Sequence, residues 1–481
     1  MQSCSLSGVE QQVMWTSLTT NKPILWGHSY FSSLVFSYLT LSGICMSLIC
    51  AGADSNRSIP DIAGLEWASF IELEAPAFTL NRSLITGPDT SLRSPMPAFT
   101  TSPAAWSCGL QNFNTAALAK RASKLRNGTP CVVHLPDYQD LKMGTRNYHL
   151  DVEFEDGVTW IARIRQPNTT PLPVRNYMIK SEAATLCFLE KTEVPAPRVF
   201  DYRLDGPDNP VGVGYIFMDK LPGVPLRWDL ASKKQRRKVL DQLANIYIEL
   251  GRHPLKGLGS LDTPGSDHIG RFAKELTFDL PPCQSWREYC TRYILHVLGL
   301  IERSEIYTQR PVDAFLIHRF LLDLVSRMAG LTGGWDERFP FYLKHADEKM
   351  DHILVDEEYN ITGVIDWESA FTAPAFVAFN TPMGILPVKD FYDGVDTLGE
   401  HEDGFLDILR SKGGQAFSNV GRHGRLLHRF LFCIGFDIVK YRDDFETLFQ
   451  GLREGVGAGE ESDWDEWQVD ALLRYRDKEM V

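Results

Sequence analysis

The most constraining stretch of this chain is a pair of short apolar runs, Ile353-Leu354-Val355 and Ile361-Thr362-Gly363-Val364-Ile365, joined by the polar segment Asp356-Glu357-Glu358-Tyr359-Asn360. Runs this short, bounded by turn residues, predict a small antiparallel hairpin. Its outer edges are polar and charged. His345-Ala346-Asp347 lies just before the first run, and Asp366-Trp367-Glu368 ends the second. An antiparallel return therefore brings Asp347 and Asp366 toward one another across the mouth of the hairpin.

The surroundings of that hairpin read as two unlike lobes. Upstream, Tyr148–Phe154 and Val158–Ile164 alternate apolar and polar residues around Glu155-Asp156-Gly157, the pattern of a β-hairpin. The segment Tyr177–Lys191 places Ile179, Ala183, Leu186 and Leu189 at helical spacing and stops before Pro195 and Pro197. Val199–Tyr202 and Gly214–Asp219 predict two further strands, and a helix starting at Thr115 ends at Asn127-Gly128. Beyond Leu221-Pro222-Gly223 the pattern turns helical. Val239, Leu243, Ile246, Tyr247 and Leu250 form one apolar stripe, and Phe315, Leu316, Phe320, Leu324 and Val325 another. The expected fold is α+β. It has a small antiparallel lobe over 106–220, with one helix beside the sheet, and a larger, mainly helical lobe over 221–481.

Residues 1–105 show no sustained period and are rich in Ser, Thr and Pro, so they are expected to extend outside this fold. Within them, 30–53 carries no charged residue and is about long enough to cross a bilayer, which leaves a membrane tether open. The net charge of −13, with no basic stripe, argues against a nucleic-acid partner. Nine cysteines, odd in number and never spaced C-x-x-C, fit neither a disulfide framework nor a zinc site, and point to the reducing cytoplasm.

Two carboxylates at one hairpin mouth suit a particular chemistry. Phosphoryl transfer asks little covalent help from a protein: one carboxylate must take or orient a hydroxyl proton, and another must hold the cation that neutralises phosphate. Asp347 and Asp366 can divide that work. His345, two residues before Asp347, can brace the loop without touching substrate.

These residues also resemble a known pattern. His345-Ala346-Asp347 through His352, followed by Ile365-Asp366-Trp367, resembles the H-G-D-x-x-x-x-N loop and I-D-W segment of aminoglycoside phosphotransferases, choline kinases and their fungal relatives in the protein-kinase-like superfamily. The likeness runs roughly from Asn112 to the C-terminal helices. It implies an ATP- and magnesium-dependent phosphotransferase acting on a small-molecule hydroxyl or amine, with Asp347 as base, His345 beside it and Asp366 on the metal. Lys142–Asn147, with its single Gly144, resembles the phosphate-covering loop. Arg163 stands where the family's V-A-I-K places lysine, and Glu182 where its ion-pair partner falls. Met218-Asp219-Lys220-Leu221 resembles the inter-lobe hinge, whose backbone would bond adenine, with Met218 and Lys220 beside the nucleotide. The departure is His352. The family places there an Asn that supplies oxygen to a second magnesium, whereas imidazole nitrogen suits a hard cation poorly, so Asp351 or Glu348 are alternative donors. With the single-glycine loop, this keeps a second reading open: a pseudokinase, a nucleotide-binding module that acts through partners.

Overall fold

The structure is a computed structural model that describes residues 114–135, 147–165, 170–332, 334, 336–434, 442–458 and 463–475. The uncharged stretch 30–53, the rest of the N-terminal extension and Gly144 lie outside the described residues. Among the described residues, no helix is long and apolar enough to cross a membrane.

The small lobe opens with α1 (Thr115–Leu125), started by Asn114, whose side-chain oxygen accepts the Ala117 N–H at 2.9 Å. The helix ends where Asn127 and Gly128 take positive φ. Strands β1 (Cys131–His134), β2 (Asn147–Phe154) and β3 (Thr159–Arg165) follow, then helix α2 (Leu172–Leu189) and strands β4 (Val199–Arg203) and β5 (Tyr215–Asp219). They form one five-stranded antiparallel sheet in the order β1-β2-β3-β5-β4. The β2–β3 hairpin turns on Gly157, and its alternation sorts two faces. Leu150, Val152, Phe154, Trp160, Ala162 and Ile164 form a core with Leu118 and Ala122 of α1. The opposite face carries His149 and Arg163, which are paired in register. Helix α2 begins five residues earlier than its apolar spacing signals. Pro171 and Pro173 sit at its entry, where a missing backbone N–H costs nothing. Strand β1 was not expected. Its four residues are too few to establish a period.

The chain then passes through β6 (Val224–Pro225) into α3 (Lys233–Gly251), which opens on a Ser232/Gln235 capping box. A two-residue ribbon, β7 (Ser260–Leu261) and β8 (Ile269–Gly270), precedes α4 (Trp286–Glu302) and α5 (Pro311–Thr332). Next come β9 (Tyr342–Lys344), β10 (Ile353–Val355), β11 (Ile361–Val364) and β12 (Phe371–Ala373). The lobe closes with α6 (Ala375–Ala378), α7 (Val388–Tyr392), α8 (Glu400–Ser411), α9 (Gln415–Gly421), α10 (Gly424–Cys433), α11 (Arg442–Gly455) and α12 (Trp464–Tyr475). The apolar stripes of α3 and α5, with Phe315 only partly covered, lie in one continuous core, joined by Ile179, Ala183 and Leu186 of α2 and by Ile216 and Met218 of β5. The small sheet is thereby packed onto the helical lobe.

The β10–β11 hairpin forms as its sequence indicates. Its turn is held by the Asp356 carboxylate, which accepts N–H groups from Glu358 and Asn360 and the Asn360 side-chain amide. Two further ladders frame it. β6, just past the hinge, pairs with β10, and β9 pairs with β12, so the strands flanking Asp347 and Asp366 are tied together on both sides. Gly223 makes the first of these approaches possible. Its φ is +99°, and a Cβ there would fall 2.7 Å from the Val355 carbonyl oxygen.

Candidate active site

Asp347 lies in the loop between β9 and β10. Its backbone N–H donates to His345 Nδ1 at 3.1 Å, and His345 Nε2–H donates to the Ile365 carbonyl at 2.9 Å. The imidazole therefore staples the loop of Asp347 to the strand end that carries Asp366, and these two bonds fix it as the neutral Nε2–H tautomer. A backbone bond from Ile365 N–H to His352 O, 2.9 Å, adds a second tie. Asp366 follows with φ +65°, a left-handed conformation that Asp tolerates better than most residues and that costs of order 1 kcal/mol or more. Its side chain stays 40% exposed.

Lys349, two residues past Asp347, places Nζ 2.8 Å from the Asp347 carboxylate. No motif marked it, although its spacing from Asp347 was readable. Burial pushes the Asp347 carboxyl up from its ordinary pKa, with Lys349 pulling the other way. A carboxylate with raised proton affinity is suited to accept a proton.

On the small lobe, Arg163 is almost fully buried and meets three carboxylates: Glu182 of α2 at 3.1 Å, Asp366 at 2.5 Å and Glu368 at 3.3 Å. It also donates to His149 Nε2 at 3.0 Å. Burial works against the guanidinium charge, but those carboxylates outweigh it and hold Arg163 protonated. Burial pushes Glu182 up in turn, against the pull of Arg163. The pairing of Arg163 with Glu182 is the one their positions implied. Glu368 is the residue whose importance sequence did not reveal. Besides Arg163, it takes Arg165 Nη1 and, at 3.0 Å, the Asn147 amide. Strand alternation places Arg165 on the Arg163 face, a signal legible only once Glu368 is known to lie opposite.

The remaining expected residues fall as follows. Met218 is buried in a strand paired on both sides, with Ile161 and with Val199. Its backbone belongs to the ladder. Asp219 is also engaged, its N–H donating to Arg198 O at 3.0 Å. Lys220 and Leu221 are the first residues past the strand, and the Lys220 ammonium reaches Asp151 on β2 at 2.6 Å. His352 is buried and stacked on His345, ring centroids 4.3 Å apart, with Nδ1 enclosed and unpartnered. Burial holds it well below the usual histidine pKa, so it is neutral. Glu348 is not available as the alternative donor, because Tyr247 donates to one of its oxygens at 2.9 Å and Lys344 pairs with the other. Asp351 is exposed at the loop surface.

Among the described residues, no group of three or more His, Cys, Asp or Glu side chains makes a preformed cation cage. Magnesium needs none, since it keeps several waters and is usually held by one or two carboxylates together with substrate phosphates. Asp366, open on one side, fits that requirement for one ion. Neutral His352 does not fit it for a second.

The model of the phosphotransferase enzyme family matches residues 138–377. A subtelomeric hrmA-associated cluster protein of Aspergillus fumigatus is 30% identical over 131 residues, 27% of this chain and 25% of that protein. The clavilactone A biosynthesis cluster protein Y of Ampulloclitocybe clavipes is 27% identical over 250 residues, 49% of this chain and 61% of that protein. The matches thus span from a quarter to about three fifths of these curated relatives. Among solved structures, a Plasmodium vivax ethanolamine kinase is 13% identical with a TM-score of 0.42, covering 83% of this chain and 93% of its own. An ADP-bound aminoglycoside phosphotransferase is 14% identical with a TM-score of 0.42, covering 71% and 99%. The family match makes this chain the carrier of a phosphotransferase enzyme family domain over residues 138–377, set in the two-lobed α+β architecture described above.

Proposed function

We propose that this chain is an ATP- and magnesium-dependent phosphotransferase acting on a hydroxyl or amine of a small molecule. The observation that carries the reading is the His345 staple, which fixes the Asp347 loop against the strand end of Asp366. Bound ATP supplies the phosphoryl group, and magnesium supplies charge that neutralises it. Asp347, its proton affinity raised by burial, takes the acceptor's proton while Lys349 holds its carboxylate in place. Asp366 offers its open side to the metal, and Arg163, steadied by Glu182, faces the phosphates. The backbone of Lys220 and Leu221 receives the adenine edge. Net charge −13 and free cysteines at 131, 187, 283, 290 and 433 favour a cytoplasmic setting with no nucleic-acid partner.

The test is thermal stabilisation by ATP. The wild type is expected to be stabilised only with a divalent cation, and Asp366→Asn to lose that metal dependence. Asp347→Asn should keep nucleotide binding and lose turnover against a panel of acceptors. Wild-type turnover in Asp347→Asn would remove the assigned base. One observation favours a pseudokinase instead: Arg163 contacts Asp366 directly, so a guanidinium already neutralises the metal-binding carboxylate. Nucleotide binding indifferent to metal, with no turnover, would establish that alternative.

A further inference from the structure

The strand that presents Arg163 also presents a second guanidinium, and the two differ in how they are satisfied. Arg165 is two residues on, and therefore on the same face of β3. Its side chain is 4% exposed. Nη1 is held by Glu368 Oε2, the same oxygen that takes the Asn147 amide from the facing position of β2 and lies 3.3 Å from Arg163. Nε and Nη2 of Arg165 are buried with no acceptor. A buried guanidinium N–H without an acceptor is costly, and two donors on one edge of a planar fork match the paired oxygens of a phosphate.

Position narrows the choice of phosphate. Glu368 is two residues past Asp366, so Arg165 is fixed to the turn that carries the metal-binding carboxylate. At the other flank of the site, Glu348 is engaged by Lys344 and Tyr247 and His352 offers only an imidazole nitrogen, so a second magnesium would find Asp351, exposed at the loop surface, as its one oxygen donor among the expected residues. We propose that Arg165 is a contact for the terminal phosphate of the nucleotide, its Nε/Nη2 edge supplying the charge that a second magnesium would otherwise bring, so that the site works with a single metal ion. The inference rests on the nucleotide site proposed above.

The experiment uses the full chain and needs no acceptor. Isothermal titration with ADP and with the non-hydrolysable triphosphate AMP-PNP, each with magnesium, is compared between wild type and Arg165→Gln. The expected result is a loss of tenfold or more in AMP-PNP affinity with ADP affinity within twofold, which also shows that the variant is folded. Arg165→Lys, which keeps the charge beside Glu368 but not the fork, should fall between and serves if Arg165→Gln does not fold. A titration with Mn2+ read by electron paramagnetic resonance should give one bound ion per AMP-PNP complex. Equal effects on both nucleotides, no effect on either, or two bound ions would overturn the proposal. Wild-type protein that binds neither nucleotide would instead remove the underlying nucleotide-site reading, and this inference with it.

Discussion

Substituting Gly384 by alanine tests whether the position of the Asp347 loop is set by packing from below. Gly384 sits in the tight turn Met383–Ile385, and its N–H donates to the Glu348 carbonyl at 2.9 Å. An added Cβ would lie 2.4 Å from Met350 Cγ and 2.7 Å from the Lys349 carbonyl carbon and oxygen. Met350 could swing its side chain only with difficulty, being 1% exposed and held at φ +79°. Relief requires the Lys349 backbone to retreat by ~0.8 Å, to reach the ~3.5 Å at which non-bonded carbons rest. Overpacking of this kind costs ~1–3 kcal/mol, and weakening the Gly384–Glu348 bond adds about 1 kcal/mol, for a total of ~2–4 kcal/mol. Moving Lys349 moves the partner of Asp347, and a misplacement of about 1 Å at a reacting group costs on the order of 100-fold in rate. Gly404 is the control. It lies within α8, a Cβ there meets nothing within 4 Å, and Gly404→Ala should stabilise by ~0.5–1 kcal/mol. Urea unfolding and ADP production in the presence of acceptor would be measured for both variants. Gly384→Ala with wild-type stability and turnover would refute the reasoning, as would equal destabilisation by the two alanines.

Removing Arg163 should be far more damaging than removing a surface charge. Arg163→Ala strands Glu182, whose side chain is 7% exposed, and is expected to cost ~3–5 kcal/mol. The deficit should shrink as pH falls, because protonation neutralises the stranded carboxyl, and a double variant with Glu182→Gln should recover part of it; a pH-independent loss in urea titrations would contradict this. Buried histidines make a separate prediction about acid. Burial lowers His318 to about 4 and His428 to about 3, so between those values and ~6.5 the unfolded chain binds protons that the folded chain does not. Stability is therefore complete above ~6.5 and falls as pH drops, by about 1.4 kcal/mol per pH unit for each such histidine. Replacing His428 by Gln should flatten the wild-type profile between pH 6 and 4 by roughly that slope; parallel profiles would show that His428 is not buried neutral.

Much of this architecture was legible because it is local. The β2–β3 hairpin, the β10–β11 hairpin with its Asp356 turn, and the stripes of α3 and α5 each follow from a period or turn within a few residues. The places of Asp347 and Asp366 before and after that hairpin follow for the same reason, since one short hairpin separates them. What sequence could not supply lies in contacts between distant segments. Arg163 and Arg165 meet Asp366 and Glu368 across 203 residues, and Asn147 meets Glu368 across 221. Only the sheet shows Met218 paired on both sides, and only the packed lobe shows Glu348 claimed by Tyr247 and Lys344. A period reports which face of an element is apolar. Which charge ends beside which is decided when the lobes close, because burying a carboxylate or guanidinium is tolerable only beside a partner that the whole chain must deliver.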